Sequence, residues 1–338
     1  MENFTNCTDF EVDGKWRARG KPFEWFDGFV CFLVLIGIIG NSLVIYIKHR
    51  LSRTQVTPIN RLVVCLAVAD LLTAVFILPL PEYENLPRSP WAEFYCHVIE
   101  SRFFLWVSFR ASVYTLTVIA IERFLAIVHP FIYRARVHNR NVKYTIAAIW
   151  IIPLVLRFPQ LLWNVVGPCG RCDFVYRSRS SAVVYTIVLF VVEFVCPLII
   201  MVYTSIKIII MLRRERFHHA DTIDPSRSRR PTQLQAIQRR FTIMFIFICA
   251  TFMLLWTPDQ LGIFLYRLGV FSRAYTEQVY QQVFLKLSFL NGATTNPIIY
   301  SICLPVFRRA VKEVVTCRRT SDRTQAQMME MTTTPSPV

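Results

Sequence analysis

Seven stretches of this chain are long and apolar enough to cross a lipid bilayer, and that feature excludes most folds. A spanning helix needs roughly 20 mostly apolar residues. Such segments fall at about residues 25–47, 61–80, 99–128, 143–163, 181–211, 239–266 and 281–303. In lipid the backbone has no water to bond to, so only helices and closed barrels span. Runs of this length select helices. The expected fold is an all-α membrane protein, a seven-transmembrane helix bundle occupying residues 25–303. The connections between segments leave no room for a separate soluble domain.

Charge placement sets the expected orientation. The chain carries 38 Lys and Arg against 22 Asp and Glu, a net charge of +16. Bases crowd the even-numbered sides of the segments. Lys48, Arg50, Arg53 and Arg61 lie between segments one and two, and Arg134, Arg136, Arg140 and Lys143 between three and four. A longer basic run lies between five and six, and another follows segment seven. Basic loops stay cytoplasmic. The N-terminus is therefore expected outside a plasma membrane and the C-terminus inside. Charge placed this way speaks for a membrane surface and against a nucleic-acid partner. Residues 1–24 are polar and carry no cleavable leader, so the first segment is expected to act as its own signal and remain. Two glycosylation acceptors, Asn3 and Asn6, fall on the expected outer side. So do Cys7, Cys96, Cys169 and Cys172, which an oxidising compartment would pair.

The segments also carry motifs in a fixed order. "GIIGN" ends in Asn41, "LAVAD" in Asp70, and segment three closes on Glu122-Arg123-Phe124. Trp150 lies in segment four and Pro197 in five. "FMLLWTP" in segment six holds Phe252, Trp256 and Pro258, and "NPIIY" in segment seven runs from Asn296 through Pro297 to Tyr300. With these motifs one per helix, the chain resembles the rhodopsin-like (class A) G protein-coupled receptors over nearly its whole length, most closely their peptide-receptor branch.

The resemblance implies roles. Glu122 and Arg123 would neutralise each other at the inner end of segment three at rest and release Arg123 to a G protein when the helices part. Phe124 stands where Tyr is more frequent. Phe252, Trp256, Pro258, Asn296, Pro297 and Tyr300 would complete the activation switch, the prolines bending their helices. Gln238 occupies the place of an acid that locks onto the segment-three Arg in some members, so some ligand-independent signalling is expected. Pro130 and Phe131 match a G protein contact. Asp70, Ser112 and Asn296 match a polar network that binds an allosteric sodium ion; Gly292 replaces a frequent Asn there, and a water-mediated network is the other reading. No other cofactor is implied.

The ligand end is the most individual part. Leu105 replaces the acid that pairs with amine ligands in similar receptors, and Leu290 replaces the lysine that binds retinal. Both ligand classes are therefore disfavoured. Yet the outer half holds Arg102, Arg110, Arg157, Glu193, Asp259 and Gln260. Charges inside a membrane usually face the interior and mark function. Arg102 and Arg110 are spaced to share a helix face. In the family's arrangement Arg110, Arg157 and Glu193 face one another, two guanidiniums around one carboxylate, with one positive charge left over. Ligand pocket and structural ion cluster are both open readings. Arg102 and Asp259 would lie nearer the mouth.

By exclusion the expected ligand is an extracellular peptide. The alternatives are a small acidic or lipid-like ligand or, from another class, a seven-helix transporter, for which no inverted repeat is visible. No catalytic constellation is present, so no enzyme is expected.

In similar receptors a disulfide ties the top of helix three to the second outer loop. Cys96 is the candidate there, two residues further from Arg123 than usual. Cys172 or Cys169 would be its partner, and the remaining one could pair with Cys7. Residues 304–317 read as a short amphipathic eighth helix at the inner membrane surface, with Cys317 a palmitoylation site. Residues 318–338 read as a disordered cytoplasmic tail whose Ser and Thr suit a receptor kinase and arrestin.

Overall fold

The structure, a computed structural model, describes residues 16–18, 25–51, 57–78, 83–176, 178–220, 233–271, 291–303, 308 and 311–312. A short strand β1 (Arg17–Ala18) precedes α1 (Trp25–Leu51) and α2 (Pro58–Phe76). Then come β2 (Tyr83–Glu84), α3 (Pro90–Phe94), α4 (Phe103–Val128), α5 (Pro130–Arg136) and α6 (Asn139–Trp163). A hairpin of β3 (Asn164–Val166) and β4 (Cys172–Phe174) leads to α7 (Arg179–Phe190), α8 (Cys196–Ala220), α9 (Gln233–Arg267) and α10 (Asn296–Cys303). π-Helical turns at Tyr95–Glu100, Val191–Val195 and Asn291–Thr295 lie before α4, α8 and α10.

Six stretches among the described residues are long and apolar enough to cross a membrane: α1, α2, α3 through α4, α6, α7 through α8, and α9. With α10 they build a seven-helix bundle. Several starts follow from local chemistry. Thr57 is extended before Pro58, whose fixed φ suits a first helical position. Ser89 accepts from the Ala92 N–H ahead of α3, and Ser178 and Ser181 cap each other at the head of α7.

The central helix is α4, which packs against α2, α6, α8 and α9. Leu66, Leu105, Phe109, Leu116, Met244 and Trp256 are buried around it. Phe32 and Ile39 on α1, Val155 on α6 and Leu254 on α9 turn outward, onto the surface that lipid would cover. Gly40 is required by proximity: a Cβ there would lie 2.5 Å from Pro297 Cβ, so the glycine lets α1 reach the last helix.

Two expectations change. Segment three does not start as one helix at residue 99. The chain makes the π-helical turn Tyr95–Glu100, and Arg102 then adopts the left-handed conformation, φ 50° and ψ 41°. Only from Phe103 is α4 regular. The two extra residues between Cys96 and Arg123 are taken up in this break, which interrupts the helix face that Arg102 and Arg110 were expected to share. The expected eighth helix lies outside the described residues, apart from positions 308, 311 and 312, which are helical.

A small second core covers the end of the bundle above the break. Cys96 is disulfide-bonded to Cys172 on β4. Asn164 Nδ2 donates to the Cys96 carbonyl, and the Leu86 N–H to the Gly170 carbonyl at 2.8 Å. Leu86, Ala92 and Tyr95 are buried beneath. Gly170 has φ +64°, and a Cβ there would press on the backbone of Asn85 and Leu86 at 3.1 Å. β1 pairs with β2, and Trp16 packs edge-on to Tyr83 and Tyr95 with centroids at 5.4 and 5.6 Å. Cys169 is also disulfide-bonded.

Candidate functional site

Three polar sites lie along α4, at Arg110, at Ser112 and at Glu122–Arg123, and each is completed by a side chain from another helix. The first is Arg110. Its Nε lies 3.0 Å from Glu193 Oε2 of the π-helical turn between α7 and α8. Arg157 of α6 donates to both oxygens of the same carboxylate, Nε to Oε1 at 3.1 Å and Nη2 to Oε2. The π-helical turn at Val191–Val195 is the device that aims Glu193 inward, where it is 1% exposed. Such bulges recur at functional sites.

Glutamines extend the cluster. Arg157 Nη1 donates to Gln160 Oε1 at 3.3 Å, and Gln160 donates to the Ser101 carbonyl at the helix break. Arg110 Nη2 donates to Gln260 Oε1 at 3.4 Å, and Gln260 Nε2 to Asp259 Oδ2 at 2.7 Å. Asp259 is fully buried, not at the mouth. The charge balance expected from the sequence is thereby corrected. Arg110 and Arg157 face two buried carboxylates, and among the described residues the cluster is formally neutral. Aromatic faces cover it: the Arg110 guanidinium carbon lies 4.9 Å from the Trp256 centroid and 5.6 Å from that of Trp106. Arg110 Nη1 and Trp256 Nε1 are buried with no hydrogen-bond partner among the described residues.

A cavity of about 140 Å³ opens onto this floor. Trp106, Arg110, Arg157, Glu193 and Gln260 lie at its base, and Phe174 of β4 and Phe264 of α9 stand in its walls. Arg102 does not line it. Leu105 is buried in the bundle core.

The second polar site is Asp70, fully buried on α2. Ser112 Oγ of α4 donates to its Oδ1 at 2.6 Å, and Asn296 Nδ2 of α10 to its Oδ2 at 2.7 Å. Among the described residues Asp70 has no ion-pair partner. A carboxylate held only by neutral donors in an apolar interior is an uncompensated charge. The Asp70 oxygens and the Ser112 hydroxyl are hard oxygen ligands, so the donor set fits a small hard cation.

The third site lies at the far end of α4. Arg123 Nη2 donates to Glu122 Oε1 at 2.6 Å, and the Tyr133 hydroxyl of α5 donates to the same oxygen at 2.9 Å. The pair is buried, Glu122 at 4% and Arg123 at 8% exposure. Phe241 of α9 covers it, 5.7 Å from the Arg123 guanidinium carbon. Phe124 turns the other way, toward His129 and Tyr203.

The remaining expected residues fall around these sites. Phe252, Trp256 and Tyr300 are buried, with Phe252 and Trp256 centroids 5.0 Å apart. Pro258 lies inside α9, and Pro297 follows the π-helical turn Asn291–Thr295. Pro130 and Phe131 are exposed at the start of α5, Phe131 at 83%. Asn3, Asn6, Cys7, Leu290, Cys317 and the Gln238 side chain lie outside the described residues.

Sequence reasoning missed Tyr133, Gln160, Trp106 and Phe241. Gln160 carried a signal, as a polar residue three positions after Arg157 in an apolar helix. Trp106 had one too, one turn from Arg110.

Comparison with known proteins places this geometry. Residues 40–300 match the family described as "7 transmembrane receptor (rhodopsin family)". The chain is 28% identical to the allatostatin-A receptor of Bombyx mori, over 93% of this chain and 86% of that one. It is 30% identical to the substance-K receptor of Homo sapiens, over 99% of this chain and 82% of that one. It is 24% identical to the pyroglutamylated RF-amide peptide receptor of Rattus norvegicus, over 86% and 69%. The crystal structure of squid rhodopsin shares the fold, with a TM-score of 0.67 at 21% identity and coverage of 91% and 90%. The chain belongs to the rhodopsin family of seven-transmembrane receptors.

Proposed function

We propose that the chain is a plasma-membrane receptor for an extracellular peptide and that binding releases Arg123 to a heterotrimeric G protein. The observation that carries this reading is the arrangement at the end of α4. Arg123 is held by Glu122, braced by Tyr133 and covered by Phe241, so one helix, α9, decides whether its donors are free. A buried ion pair released by helix movement is a two-state element that a ligand can bias. The similar receptors for allatostatin-A, substance K and an RF-amide peptide support a peptide as the ligand.

In this reading the disulfide end faces outward and the cavity over Glu193 receives part of the peptide. Phe131 projects from α5 to meet the G protein. A sodium ion would be held by Asp70 and Ser112, where it supplies the missing positive charge in the resting state. Asn3 and Asn6 would carry glycans, Cys317 a palmitoyl group, and the tail would serve a receptor kinase and arrestin.

The test is nucleotide exchange on a panel of G proteins, in membranes carrying wild type or Arg123→Ala at equal surface levels. A peptide extract, with and without protease treatment, serves as agonist. Exchange that needs both Arg123 and intact peptide is expected. Exchange indifferent to Arg123→Ala would sink the release mechanism, and protease-resistant agonism would sink the peptide.

A further inference from the structure

The cavity over the buried charges has walls and a floor of different character, and together they select. We propose that it binds one uncharged aromatic residue of the ligand and discriminates against an acidic one, which rests on the receptor reading above.

Size comes first. A cavity of about 140 Å³ is well below the roughly 300–1,000 Å³ of sites that hold whole drug-sized ligands. It takes a single side chain. The walls are rings: Phe174, Tyr176, Tyr185, Phe190 and Phe264 rise above Trp106. Phe190 of α7 and Phe264 of α9 stack at 4.0 Å with a 14° interplanar angle, closing the gap between those helices. Trp163 braces Tyr176 at 5.2 Å and Tyr185 at 4.9 Å, which holds the other wall. Rings fixed in this way offer both faces and edges, and an inserted ring gains from each.

The floor decides charge. Arg110, Arg157, Glu193 and Asp259 are each 9% exposed or less, two cations against two anions. An incoming carboxylate would find no unpaired cation among the described residues and would bring an uncompensated negative charge into a desolvated site. An ammonium group fails for the mirror reason. Buried at the floor is a guanidinium donor still without a partner among the described residues. Arg110 Nη1 has no partner among the described residues, while Gln160 and Gln260 already donate and accept within the cluster. A neutral carbonyl next to the inserted ring satisfies that donor without changing the charge balance.

The probes are N-acetyl, N-methylamide derivatives of Phe, Tyr, Leu, Glu and Lys, each added to the purified full-length receptor, with the thermal unfolding midpoint as readout. The Phe and Tyr derivatives are expected to raise the midpoint at concentrations about tenfold below those needed for Leu, Glu or Lys. Leu189→Trp fills the cavity from α7 without touching the four charges, and Ile263→Trp fills it from α9. Whichever variant keeps the wild-type midpoint should lose the Phe response. A Glu derivative that works as well as Phe would overturn the proposal, as would a Phe response that survives the filling variants. If no probe acts while peptide extract still drives Arg123-dependent exchange, the aromatic subsite is wrong and the receptor reading stands. Aromatic stabilisation without such exchange would leave the subsite standing and remove the receptor reading.

Discussion

Tyr133→Phe removes one hydroxyl and leaves the ring that packs beneath α4. In the structure that hydroxyl donates to Glu122 Oε1 at 2.9 Å, the oxygen that also accepts from Arg123. Burial, and then the neighbouring Glu122 carboxylate, raise the Tyr133 phenol, so it keeps its proton and acts as a donor at neutral pH. A hydrogen bond to a charged group contributes roughly 1.5–3 kcal/mol. The bond belongs to the arrangement in which Glu122 and Arg123 are paired under Phe241. Losing about 1.5 kcal/mol from that arrangement raises the ratio of open to closed receptor about tenfold. Starting from a minor state of roughly 1%, the open fraction rises to about 10%. Ligand-free nucleotide exchange should increase by a similar factor at equal surface expression. The assay compares basal exchange in membranes carrying wild type and Tyr133→Phe, normalised to surface antibody binding. Unchanged basal exchange would refute the claim that Tyr133 holds the resting state.

Three further outcomes follow from the packing. Glu193→Gln leaves two buried guanidiniums facing each other, at a cost of about 3–5 kcal/mol. Surface expression and the unfolding midpoint should fall, and adding Arg110→Gln should recover part of both; a stable single variant would contradict the ion cluster. Arg102→Gly relieves a left-handed residue worth roughly 1–2 kcal/mol and should raise the unfolding midpoint; a lower midpoint would show that the Arg102 side chain outweighs its backbone. Gly40→Ala puts a methyl group against Pro297, an overpacking of about 1–3 kcal/mol, so purified yield and midpoint should drop, with an unchanged midpoint refuting the close approach.

How much of this was legible in the sequence depends on the range of the interaction. Spanning segments are dictated by single-residue hydropathy, so α1, α2 and α6 lie within about four residues of their expected bounds, while α9 begins at Gln233 instead of 239. The meeting of Arg110, Arg157 and Glu193 was expected through the resemblance alone, because three ionisable groups in apolar helices do not by themselves say which faces meet. The break at Ser101–Arg102 was not legible, since Val98 to Leu105 holds no Gly or Pro to mark a turn of the backbone. Only the displaced Cys96 hinted at it. The depth of Asp259 was missed for another reason. Its position in an apolar helix gave no rotation about that axis, and rotation decides whether the side chain turns into the packed bundle or stays open to solvent. Tyr133 was hidden by its surroundings: "PFIYRAR" looks like a basic loop, and its aromatic is buried only because α5 folds back under α4.

Both guanidiniums of α4 are covered by α9, and that shared helix is what can couple the two ends. Arg110 lies over Trp256 and Arg123 over Phe241, and the two rings are about 22 Å apart along α9. Pro258 sits just beyond Trp256, where its missing N–H lets the helix bend. In the proposed reading a group entering the cavity would press on Arg110 and so on the Trp256 ring. A bend of roughly 10° at that point would carry Phe241 sideways by about 4 Å. The Arg123 contact has little reserve, because a cation and a ring interact only within about 6 Å and here they are 5.7 Å apart. A displacement of that size would uncover Arg123, whereas a shift confined to the cavity would leave it covered. The coupling therefore requires α9 to move as one stiff lever below Pro258, and the packing of Phe241 on Phe245 and of Phe252 on Trp256 along one face of that helix supplies the stiffness.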